Sequence, residues 1–380
     1  MSVTKVTNDC IVDMAASKLT GSMPAIDGSN LTGISAYTQN ANDPAIDTNP
    51  SGGLGTVWVN TTSGEVFSCT DATTDANVWF NTGGGDGDVQ PFIYQGSISG
   101  YRTAGYFDTT TIDKFSMVTD GNATNIGDLT LARHAPAGVS SKTHGFTCGG
   151  ARANTTPTET VDKHSFTTDG DAVDHCDLSV NRSYITEPGS SSTTHGYNAG
   201  GYQSGASDLN IIDKFNFSST STATDVGDLT SSWHAGYGFT SDTHGYSAWR
   251  TQLDKYSHAS DGNATSVGQL STTGLQTRAG SGKSSTTHGY ASGGEPAGGE
   301  HGNVIDKFSF ASEGTATDVG DLTVGRGNQS GASSTTHGYT CGGDTPNSNV
   351  IDKFSFTTDG NATDVGDMTN SIGYSAGQHY

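Results

Sequence analysis

Ile112-Asp113-Lys114-Phe115 returns as Val161-Asp162-Lys163-His164, Ile212-Asp213-Lys214-Phe215, Leu253-Asp254-Lys255-Tyr256, Ile305-Asp306-Lys307-Phe308 and Ile351-Asp352-Lys353-Phe354. The six aspartates stand 49, 51, 41, 52 and 46 residues apart. A period near 50 holds four short strands, and a unit that recurs so regularly buries its apolar faces against copies of itself.

Four segments can be followed in each unit. In the last they run Arg326 to Ser334, Thr336 to Gly343, Val350 to Phe356 and Ala362 to Thr369. Four strands per unit and six units predict an all-β fold, a six-bladed β-propeller over residues 90–380. Asp-Gly-Asn turns at Asp120, Asp261 and Asp359 stand between the third and fourth segments, where positive φ is expected. The first unit has no clear first strand, whereas Ser371 to Gly377 has the character of one. The C-terminus is therefore expected to pair into the first unit and close the ring, which removes exposed sheet edges.

A basic residue opening the first strand (Arg133, Arg182, Arg326), paired glycines closing the second (from Gly149, Gly200, Gly293 and Gly342) and a hydrophobic-Asp element in the third make the repeat resemble kelch propellers. Val-Gly-Asp-Leu stands where a kelch blade usually has tryptophan, so the likeness is kelch-like.

Residues 1–89 lack the repeat. Lys18 to Ile34 cannot bury a core alone and resembles, in its Leu-Thr-Gly and Asp-Gly-Ser-Asn phrasing, the start of bacteriophage tail-fibre proteins. Gly55 to Asn60, Glu65 to Cys69 and Val78 to Phe80 read as strands and resemble a small hairpin module of the same proteins. The expected division is an extended attachment segment over 1–45, a hairpin module over 46–82, a Gly-rich linker over 83–89 and the propeller from 90.

Composition agrees with an all-β chain: 53 glycines and only 31% hydrophobic residues, without helical periodicity. Acidic residues outnumber basic ones 39 to 17, for a charge of −22, which disfavours nucleic acid and anionic lipid as partners. No apolar run approaches 18 residues and no signal-type core follows Met1, so no membrane insertion or classical secretion is expected. The five cysteines are scattered and suggest neither disulfides nor zinc.

His144, His195, His244, His288 and His337 recur in nearly every unit, which points to structural hydrogen bonding rather than to a singular metal site. The Asp-Lys pairs are expected to find partners in neighbouring strands or blades. Glu295 and Glu300 could form a glycosidase pair, although their Gly-rich surroundings read as a loop. No catalytic residue, metal ligand or cofactor is assigned. Trp233, Trp249, Arg250 and Tyr202 offer aromatic and cationic groups suited to a sugar or an acid, with Trp249 alternatively filling space left by missing glycines.

The resemblance implies a virion protein: a tail fibre or receptor-binding protein, docked to other virion proteins through residues 1–89, recognising a host-surface glycan or protein, and homo-oligomeric, as a trimer. A purely structural head or tail decoration is the first alternative, and a carbohydrate-active enzyme the second.

Overall fold

The computed structural model describes residues 37–82, 93–152, 156–205, 208–271, 280–294, 301–344 and 346–380. The stretch 1–36, the linker 83–89 and the Glu295/Glu300 insertion lie outside the described residues. The chain divides into two compact units, Met1–Pro91 and Phe92–Tyr380. Both are β-built, and no helix occurs among the described residues.

In the N-terminal unit Val57–Asn60, Val66–Asp71 and Val78–Asn81 form an antiparallel sheet, and Thr38–Asn40 adds a parallel edge strand. The sheet thus begins inside the stretch read as extended. Alternate residues turn inward, so Trp58, Phe67, Cys69 and Trp79 form the core, with the two indoles edge to face at 5.9 Å. Asn60 shapes the hairpin by accepting the amides of Thr62 and Ser63 at 2.8 and 3.1 Å.

In the second unit the six repeats make six separate, open sheets built on four antiparallel strands, which lie first to fourth in chain order in every sheet but the first. The second sheet is typical: Ala137–Ser140, His144–Cys148, Thr160–Ser165 and Val173–Asp177. The first sheet takes its first strand from the C-terminus, where Ala376–His379 pairs antiparallel with Ser99–Thr103. The fourth sheet gains a short parallel fifth strand, Gly314–Thr315.

Successive sheets are joined through the repeated aspartate. Thr130 donates to Asp162, Ser179 to Asp213, Thr230 to Asp254, Ser271 to Asp306, Thr323 to Asp352 and Thr369 to Asp113, so the sixth sheet returns to the first. A second set of joints has the same order. The amides of Ala172, Ala223, Ala264, Ala316, Ala362 and Ala123 each donate to a carbonyl of the preceding sheet at 2.7–2.8 Å. Apolar burial follows suit, because the six clusters of this unit each straddle two adjacent sheets. First strands also touch in succession from Ala137–Ser140 round to Ala376–His379 and back.

The turns serve these joints. In Asp-Gly-Asn the glycine φ is 154–156°, positive as expected. The polar residues reach across: Asn122, Asn263 and Asn361 accept the amides of Asp367, Asp228 and Asp321, while Asp120, Asp261 and Asp359 pair with Lys353, Lys214 and Lys307. The Asp-Lys motif therefore bridges sheets, as expected. Glycine in Val-Gly-Asp is set by the same approach, since a Cβ on Gly320 would lie 2.3 Å from the carbonyl oxygen of Gly360.

Inside each joint lies charge. Arg133, Arg182 and Arg326 are fully buried against Asp162, Asp213 and Asp352 at 2.9–3.1 Å. Burial pulls each guanidinium pKa down and the facing aspartate holds it up. In the first sheet Ile372 stands in the arginine's place. Arg102, on the neighbouring strand, supplies the missing cation to Asp113 at 2.6 Å.

His164 stands where the other tetrads carry Phe or Tyr. It is buried, neither ring nitrogen has a partner, and burial lowers its pKa to about 3. An unfolded chain protonates this ring below about pH 6.5 and the native state does not, so its contribution to stability is lost as the pH falls from about 6.5 towards about 3. His164→Phe is expected to gain about 1–2 kcal/mol at pH 7 and to flatten the acid limb of a denaturation profile. An unchanged limb would contradict this. Deleting Ser371 to Tyr380 exposes the Ser99–Thr103 edge and is expected to lower Tm by at least about 10 °C in calorimetry; an unchanged Tm would contradict the pairing.

Candidate functional site

Five first strands carry a glycine at one level: Gly138, Gly238, Gly282, Gly331 and Gly377. Here the strands crowd, since a Cβ on Gly138 would sit 2.0 Å from the Gly377 carbonyl oxygen. Such packing turns the amides inward, where water cannot serve them, and one residue meets all five. Glu187 Oε2 accepts from Gly138 at 2.8 Å, Oε1 accepts from Gly377 at 2.6 Å, and the carboxylate takes the Gly331 amide as well. Its backbone carbonyl accepts from Gly238 and Gly282 at 3.0 and 3.1 Å. Burial pushes this carboxyl well above its ordinary range while the three amides pull it down.

Glu187 reaches this position through a local insertion. Four residues separate Ala135 from Val139, whereas six separate Tyr184 from Ser190, which pairs with Tyr197 as Val139 pairs with Phe146. The signal that could have found it in the sequence is this lengthening relative to the other repeats, with a glutamate inside it.

Above Glu187 opens a pocket lined by Ala135, Tyr184, Ala235, Asn328 and Tyr374 at corresponding corners of five connections, with Gln329 and Ser375 beside them. All five corners are left-handed, with φ from 50° to 57°. Such backbone is costly for tyrosine. A chain of amides holds it: Tyr184 to Ala135, Ala135 to Tyr374 and Tyr374 to Asn328, at 2.6–2.8 Å.

One side of the mouth is aromatic. Tyr184 and Tyr374 meet edge to face at 5.7 Å, Tyr106 lies 5.5 Å from Tyr374, and Phe107 lies 4.7 Å from Tyr106. Phe107 is 77% exposed and Tyr106 48%. His134 and His234 join this wall and are each held by an aspartate, Asp108 at 2.7 Å and Asp208 at 2.8 Å.

The residues singled out in the sequence lie elsewhere or at its margin. Trp233 is fully buried in the slot that holds Arg133, Arg182 and Arg326 in other sheets, which removes it from any ligand-facing surface. Trp249 stacks on it, ring planes 14° apart, and so fills space, while exposed Arg250 lies 4.3 Å over Trp249. Tyr202 lies at the edge of the aromatic wall, 6.3 Å from His234. The recurrent histidines pair through Nδ1 with the preceding threonine hydroxyl at 2.8 Å, a structural role. Among the described residues no His, Cys, Asp and Glu group is arranged to hold a metal ion. Neither a family model nor a curated protein matches the chain.

Glu187→Ala is expected to orphan three buried amides and cost at least about 3 kcal/mol in denaturant titration, with Glu187→Gln intermediate. An alanine variant as stable as the parent would show that these amides do not depend on the carboxylate.

Proposed function

We propose that the second unit is a six-bladed β-propeller of kelch-like order and that the protein is a bacteriophage virion component, a tail fibre or receptor-binding protein. The return of the sixth sheet's Thr369 to the first sheet's Asp113 carries the propeller reading. It is supported by the succession of first-strand contacts and by an apolar cluster at every junction. In this arrangement the second-to-third-strand connections of the first and third sheets, with Tyr106 and Tyr202, gather beside the axial pocket, a usual place for ligand recognition on a rigid scaffold.

The virion reading rests on the phrasing of residues 18–34 and on the small tryptophan-cored sheet over 38–81. Residues 1–89 would attach to other virion proteins, the propeller would face the host, and the chain would work as a homo-oligomer, a trimer by the same resemblance. Labelled full-length protein is expected to coat some members of a panel of bacterial strains. Antibodies to the chain are expected to decorate phage particles that infect those strains. Cells left bare, together with particles lacking the chain, would overturn the reading; decorated particles that never use the chain for adsorption would leave only a structural role.

A further inference from the structure

We infer that the axial pocket binds one neutral pyranose, the terminal residue of a glycan; this deepens the receptor-binding reading and rests on it for the source of the sugar. Two features of the lining point to a ligand independently of the aromatic wall. Ser375 Oγ and Gln329 Oε1 face no hydrogen-bond partner in the protein, although their residues are only 3% and 1% exposed. Gln329 is not free to turn, because its Nε2 donates to the Ser292 carbonyl at 2.7 Å. Its Oε1 is thus a fixed acceptor, and the Ser375 hydroxyl can donate or accept. Buried polar atoms in this state are rare and costly, and hydroxyl groups of a ligand would satisfy both.

The chemistry of the walls narrows the ligand. Tyr184 and Tyr374 bring aromatic rings to the lining, and Ser375 and Gln329 bring polar atoms, a mixture that matches a pyranose with an apolar C–H face and an equatorial fringe of hydroxyls. An anion is disfavoured because, among the described residues, no lysine or arginine lines the pocket and Glu187 forms its floor. A cation is disfavoured because both Glu187 oxygens already accept backbone amides. Tyr106 and Phe107 continue the aromatic surface outward, where the rest of a glycan would run.

Saturation-transfer NMR on the full-length protein tests this with D-glucose, D-galactose, D-mannose, N-acetyl-D-glucosamine and L-rhamnose, and with choline as a cationic probe. At least one sugar is expected to receive saturation while choline does not. Ser375→Ala is expected to weaken that sugar at least about tenfold with Tm unchanged, because the hydroxyl has no protein partner to lose. Silence from all five sugars, preference for choline, or equal sugar binding by Ser375→Ala would overturn the inference. Adsorption to cells, measured in parallel, separates the two claims: adsorption without sugar binding leaves the receptor-binding reading standing, and sugar binding without adsorption leaves the pocket standing.

Discussion

A carboxylate shared between two sheets is the constraint on which the second unit depends. Each repeated aspartate sits on a third strand, accepts from a threonine or serine at the end of the preceding sheet, and in four sheets also faces a buried guanidinium. Such a group cannot be left half-made. Desolvation of the charges is offset only while arginine, hydroxyl and amide all remain in place, so each sheet requires its predecessor in register. The apolar clusters then lie between sheets rather than within them, and stability is a property of the succession.

Much of this was legible because the repeat is local. The Ile-Asp-Lys-Phe tetrad marks the third strand, His-Gly opens the second, and the surplus segment at the C-terminus completes the first sheet; all three are phrases short enough to recognise by recurrence. Contacts made across a repeat were harder to read. Asp-Gly-Asn reads as ordinary hairpin chemistry, yet its Asp and Asn also serve the neighbouring sheet. Arg102 compensates for Ile372 from a different strand, so alignment of the repeats at the arginine position shows only the loss. Trp233 occupies that same slot in the fourth sheet, which turned a conspicuous exposed-site candidate into a buried one.

The pocket was the least legible part. Its floor depends on a two-residue lengthening before one short strand, and its walls on tyrosines held in left-handed backbone where other repeats have alanine or asparagine. Both depart from the repeat, and both lie where five connections converge. Regular positions build the scaffold and irregular ones shape the pocket, whose lining includes Ser375 and Gln329, each with a polar atom that lacks a protein partner.

The closing joint can be weighed directly with a double-mutant cycle on Asp113 and Thr369, set beside the same cycle on Asp352 and Thr323. If the sixth sheet is bound to the first as every other sheet is bound to its neighbour, Asp113→Asn and Thr369→Ala will show a coupling of about 1–2 kcal/mol, equal within error to that of the interior pair. A coupling near zero at Asp113 and Thr369, with the interior pair coupled, would mean that the succession of sheets does not close.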